Sequence, residues 1–190
     1  MTSFEVPEPI LNSPFEEPRE HWLIEEGKSP ERISGRRMAG YYYRDPKTPD
    51  SDDARGARGT WVELALVNLI RQRMAEWRQQ GRPGVTRTTR ELIDYWRRGG
   101  RQQRLFFAQL EAAETVIFLA EARADFRQGI AVPADEPSED RRAEGFKAFH
   151  RLGCKMATGA GKTTVMGLLA AWSILNKVND RGDARFSDAV

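Results

Sequence analysis

Apolar positions recur at helical spacing in four stretches of this chain and thin out between them. Val67, Ile70, Met74 and Trp77 share one face of a helix predicted from Trp61, with Thr60 and Glu63 as a capping box and Gly81 as its stop. Thr88 and Glu91 form a second box, opening a helix through Leu92 and Trp96 that ends at Gly99-Gly100. A third helix is predicted from about Arg104 to Arg127, apolar at Leu105, Phe106, Leu110, Ala113, Ile117 and Ala120, and closed by Gly129. Val165, Leu168, Leu169, Trp172 and Leu175 make the stripe of a fourth, reaching about Val178. A short strand is expected just before it, around Phe149 to Lys155. There are no internal repeats and no sustained heptads.

The segments between these stripes divide the chain. Residues 1–60 hold seven of the ten prolines, and a Gly/Asp/Arg-rich stretch runs from Asp45 to Gly59. This reads as an extended, mostly irregular arm with one local turn. Its aromatic residues Phe15, Trp22 and Tyr41-Tyr42-Tyr43 suggest that it lies against something, for which docking on the helical region is a conjecture. Residues 61–130 form the helical region. Residues 131–150, acidic and turn-rich from Asp135 to Glu144, read as a surface linker. Residues 151–190 begin an α/β lobe, so the expected class is α/β.

Composition narrows the setting. With 39% hydrophobic and 31% charged residues and a mean hydropathy of −0.64, the chain has no apolar run near the ~18 residues of a membrane span. Its first residues, Met1-Thr2-Ser3-Phe4-Glu5, lack the basic and apolar regions of an export signal. A single cysteine, Cys154, excludes an internal disulfide framework and a cysteine-based zinc cluster. A cytoplasmic location is expected. Net charge is only +2, but residues 1–20 are acidic, with Glu5, Glu8, Glu16, Glu17 and Glu20 against Arg19. Ten arginines lie between Arg71 and Arg104, against Glu76, Glu91 and Asp94.

Candidate chemistry concentrates between the predicted strand and the last helix, in Met156-Ala157-Thr158-Gly159-Ala160-Gly161-Lys162-Thr163-Thr164. The last three positions of the pattern Gly-x-x-x-x-Gly-Lys-[Ser/Thr] are present, with Met156 in place of its first glycine. Gly159 and Gly161 permit the bends that point successive N–H groups inward as an anion nest, and the following helix start adds positive potential. Thr158, Gly159, Ala160, Gly161, Lys162, Thr163 and Thr164 are therefore the expected phosphate-binding residues. Lys162 would reach the β- and γ-phosphates, and the Thr163 hydroxyl would ligate Mg²⁺, a cation that prefers oxygen. The expected cofactors are ATP and Mg²⁺.

Thr158-Gly159-Ala160-Gly161-Lys162-Thr163 preceded by Met156 resembles motif I of superfamily 2 helicases and translocases, above all the motor subunits of type I and type III restriction enzymes. Arg104 to Ala112 is similar to the glutamine-bearing helix that precedes motif I in that superfamily. The resemblance implies that Gln109, with Arg104, contacts adenine, using one amide donor and one acceptor; a solvated glutamine on a helix surface is the competing reading. The wider run from Arg87 to Lys177 looks like the N-terminal region of type III res-subunit-like proteins, with a weaker likeness at Pro14 to Pro18 and Tyr41 to Arg44. This implies a RecA-like lobe of which the chain carries the first strand, the loop and the helix. It also implies double-stranded DNA as a partner of the full-length protein, a methyltransferase subunit as another, and no membrane.

Two departures from that family stand in the sequence. The spacing from Gln109 to the loop is longer than in compact helicases, so the acidic linker must loop out. The chain also stops at Val190, where the family's second core strand and motif Ia would begin. The family's acidic motif II is not found either: no Asp-Glu-x-His or Asp-Glu-x-Asp follows the loop, and Asp180, Asp183 and Asp188 fall in a polar tail. The expectation is ATP binding without competent hydrolysis. Rival expectations are another phosphate-loop NTPase completed by a partner, and a non-catalytic structural or binding remnant.

Other candidates carry less. The arginines of 71–104 with Trp77, Tyr95 and Trp96 suit a nucleic-acid backbone, but Trp77 and Trp96 sit on apolar stripes, which favours a helical core with solvated arginines. His21 and His150 lack a metal-like set of partners. Cys154 suits either a buried strand position or a thiol activated by nearby cations. The Val165–Leu175 stripe needs a covering surface, so a marginal C-terminal region with poorly protected amides is expected.

Overall fold

The computed structural model describes residues 6–25, 28–43 and 59–186. Contacts divide the chain into two units, Met1–Arg71 and Gln72–Val190. The content is mixed α/β, with five helices and three two-stranded antiparallel sheets among the described residues.

The arm expected to be irregular instead forms two hairpins. Strands β1 (Glu20–Leu23) and β2 (Glu31–Ser34) pair antiparallel, with Trp22 opposite Arg32. Asn12 fastens the entry to β1: its Oδ1 accepts from the Arg19 and Glu20 N–H groups at 2.8 and 3.2 Å, and its Nδ2 donates to the Glu20 carbonyl at 2.9 Å. The Trp22 indole N–H donates to the Glu8 carbonyl. Strands β3 (Gly40–Tyr43) and β4 (Thr60–Glu63) make the second hairpin, with Tyr42 opposite Trp61. The Asp45–Gly59 stretch lies outside the described residues except for Gly59, as do Glu5, Arg44 and Asp188.

Pairing with β3 overturns the helix expected from Trp61. Thr60, Trp61 and Val62 all suit a pleated surface, and the tyrosine run supplies a partner, so cross-strand bonding displaces the local capping box. Helix α1 (Ala65–Gln79) starts later. Glu63 accepts from the Asn68 amide, and Asn68 also closes both backbone groups of Ala39. Val67, expected in the stripe, is exposed. Among the described residues of this unit only Ile70 is buried, so hydrogen bonds rather than a core hold the hairpins.

The second unit has the core. Helices α2 (Arg87–Arg97), α3 (Phe107–Glu121) and α5 (Lys162–Asn179) follow. Met74, Trp77, Ile93, Trp96, Ile117 and Phe118 are all buried, and Trp77 meets Phe118 edge-on at 5.4 Å between centroids. The core reading of Trp77 and Trp96 thus holds. Gly84 (φ +100°) joins α1 to α2 and lies against the backbone of Glu121–Arg123, where a Cβ would collide. Helix α3 ends at this close approach, at Glu121, well short of Arg127.

Four further expectations change. The cap of α2 is Thr86, whose hydroxyl accepts from the Thr89 N–H; Thr88 instead accepts from the Asn179 amide. Helix α3 starts at Phe107, leaving Leu105 buried but Phe106 exposed. The strand before the loop shrinks to β6 (Phe149–His150), paired antiparallel with β5 (Ala134–Asp135), while 151–157 are irregular and mostly exposed. A parallel strand needs a neighbouring strand to bond, and the described residues offer none there. Between β5 and β6 lies the short helix α4 (Glu139–Ala143), exposed throughout. On α5 the buried row is Val165, Leu168, Trp172 and Asn176, and Leu175 is exposed. That row packs on α2 and α3, which supply the covering surface the sequence left unassigned.

Candidate functional site

The phosphate-loop residues run from an exposed segment into the first turn of α5. Gly159 and Gly161 both have positive φ, +78° and +80°, which a side chain would strain. Gly161 is the N-cap of α5 and has no side chain to close the helix start. The N–H groups of the first turn therefore keep the anion-attracting character of an uncapped helix end. Lys162, Thr163 and Thr164 are exposed, and Thr158 and Gly159 are as well, whereas Ala160 is half-buried. Lys162 Nζ donates to the Ala157 carbonyl at 2.9 Å, closing the loop on itself. A phosphate would have to draw this ammonium away from that carbonyl.

Gln109, 52 residues earlier, is brought directly to the loop. It lies in the first turn of α3 and is only 6% exposed. Its Oε1 accepts from the Phe106 N–H at 2.9 Å, which satisfies one orphan donor of the helix start. Its amide lies so close to Gly161 that a Cβ there would collide with Nε2. Gln109 is therefore not a solvated surface glutamine. It is fixed at both ends, by the α3 backbone and by the αL glycine of the loop. Arg104 is exposed in the turn before α3.

Among the described residues no group of three or more His, Cys, Asp or Glu could hold a metal ion. The exposed Thr163 hydroxyl suits Mg²⁺ as a hard oxygen donor, with nucleotide oxygens needed to complete the shell. Asp183, from the polar tail, is engaged by Arg185 at 2.6 Å. That hydrogen bond lowers its carboxyl to about 2, so it is an ion-pair member. His21 Nδ1 bonds the Gly35 carbonyl at 2.8 Å, a structural role in the first hairpin. Cys154 is exposed rather than buried in a strand. Partial desolvation pushes its thiol up, against an activated thiol.

Two buried carboxylates escaped the sequence reading. Glu114 is 0% exposed and accepts from Arg78 at 2.6 Å, Arg97 at 2.8 Å and Arg82 at 3.3 Å. Burial pushes its carboxyl up, but the Arg97 hydrogen bond and the three guanidinium charges outweigh this and hold it below its usual range. Glu121 accepts from the Thr86 N–H, the Thr89 hydroxyl and the Trp172 indole N–H at 2.6–2.7 Å. Asn176 joins the same network through Thr86 and Thr89. This ties α5 to α2 and α3 behind the loop. Its signal was present: Glu114 and Glu121 fall on the buried face of α3 with Leu110, Ala113, Ile117 and Phe118.

No family model, no curated protein and no solved structure matches this chain. No described helix is long and apolar enough to cross a membrane.

Proposed function

We propose that the chain is the ATP-binding N-terminal portion of a DNA helicase or translocase subunit of a type III-like restriction endonuclease. The observation that carries this reading is the meeting of Gln109 with Gly161, beside an uncapped helix start bearing Lys162 and Thr163. A phosphate loop alone fits many NTPases. A glutamine amide beside its last glycine suits adenine, provided that its Oε1 exchanges the Phe106 N–H for the base. In this reading residues 151–190 begin a RecA-like lobe, Arg104 flanks the base, and Thr163 holds Mg²⁺ with the phosphate oxygens. Loop N–H groups and Lys162 supply the cradle, while the acidic and arginine groups that drive hydrolysis belong to other motifs. Double-stranded DNA and a modification subunit would engage the full-length protein in the cytoplasm.

Titration of the chain with Mg·ATP and Mg·GTP by calorimetry tests the proposal. The expected result is ATP-selective binding without turnover. Lys162→Ala should abolish it, and Gln109→Ala should remove the preference for ATP. Binding that ignores the Gln109 change points to another phosphate-loop NTPase. Absence of Mg²⁺-dependent binding, or binding unchanged in Lys162→Ala, overturns the nucleotide reading and leaves a non-catalytic module.

A further inference from the structure

The β3–β4 hairpin carries a second candidate site. An open cleft of about 660 Å³ is lined by Ile24, Arg37, Met38, Tyr42, Trp61 and Arg71, among others. Its aromatic wall is ordered by the strands: Tyr42 and Trp61 are cross-strand partners, meeting edge-on at 5.1 Å between centroids. The Trp61 ring lies over Gly40, where a Cβ would collide with its six-membered ring. The Arg37 guanidinium sits 5.5 Å from the Trp61 ring centroid. Arg71 Nη1 donates to the Arg37 carbonyl at 3.4 Å, placing a second cation on the same wall. Tyr42 and Trp61 are 41% and 38% exposed, which leaves both rings open to a ligand. Among the described residues that line the cleft none is acidic.

We infer that this cleft binds single-stranded nucleic acid, with a base stacked on the Trp61–Tyr42 wall and a phosphate met by Arg37. An exposed aromatic wall suits either a protein partner or a base. The charge decides between them, because among the described lining residues the charged groups are both guanidiniums, which suit phosphates and strengthen stacking. Neighbouring strands leave Tyr42 and Trp61 on one face, so an unpaired strand can reach them while a duplex, with its bases already stacked, cannot use them. None of residues 156–164 is among the described residues that line this cleft, and the inference does not rest on nucleotide binding.

Fluorescence anisotropy with a labelled oligothymidylate and the full chain tests this. Binding should weaken as salt rises. Trp61→Ala and Arg37→Glu should each weaken it about tenfold, and Trp61→Phe should retain most of it. Arg87→Glu, at an exposed arginine of α2, should leave binding unchanged, as should Lys162→Ala, which separates this site from the ATP reading. Circular dichroism guards against loss of the hairpin, and Arg37→Glu changes the charge without removing the aromatic pair. Absence of binding, equal loss in Arg87→Glu, wild-type affinity in Arg37→Glu, or equal affinity for duplex would overturn the inference. So would self-association through this face without strand binding, which would assign it to a protein partner.

Discussion

A carboxylate sealed among helices is tolerable only where its charge is met, and Glu114 meets three guanidinium groups drawn from α1, the turn after it and the end of α2. Glu114→Gln should destabilise the fold by about 3 kcal/mol in urea unfolding, the low end of the cost of breaking a buried pair, because the arginines keep some contact with water. The pH dependence follows from the direction of the shift. The folded carboxyl titrates below its ordinary value of 4.5, so its contribution is complete above that value and is lost as pH falls toward the folded pKa. Stability curves of the Gln variant should accordingly lose part of the acid-side slope. Gly161 is the other decisive single position, since it combines φ +80° with contact to Gln109. Gly161→Ala should cost ~1–3 kcal/mol in the same measurement and, on the function proposed above, weaken ATP binding. The glycine was legible in the motif and Gln109 through the family resemblance, but their direct contact was not, because nothing local records a meeting across 52 residues.

Helix starts show how local signals compete. The sequence contains a plausible box at Thr88–Glu91, yet Thr86 caps α2 because its hydroxyl reaches the Thr89 N–H while its own N–H is held by Glu121. Thr86→Ala should therefore cost about 1 kcal/mol or more, and Thr88→Ala only a few tenths, by thermal unfolding. Equal effects would return the cap to Thr88. The Thr60–Glu63 box failed for a different reason, since the tyrosine run of β3 offered a strand partner before the helix could extend. On α5 the period was legible but its last member was not. Asn176 is buried because Thr86, Thr89 and the Trp172 carbonyl satisfy its amide, a condition no apolar count anticipates.

Across the whole molecule, burial is concentrated in the second unit and nearly absent from the described part of the first. Two-stranded hairpins without a core are marginal on their own. Amide hydrogen exchange should thus be fast across β1–β4 and slowest in α3 and the buried parts of α2 and α5, with residues 151–160 exchanging quickly. Slow exchange through the hairpins, or fast exchange along α5, would contradict this ordering. Residue order alone was enough for the existence of the four long helices, the burial of Trp77 and Trp96, and the glycine bends at 159 and 161. These follow from spacing and residue type, which act over a few residues. Folding in three dimensions settled the rest: the aromatic arm pairs into hairpins, α2 and α3 cover α5, Glu114 and Glu121 are enclosed, and Gln109 meets Gly161. Each of these is a long-range match of hydrogen bonds, charge or shape, whose partners lie far apart along the chain and become neighbours only when it folds.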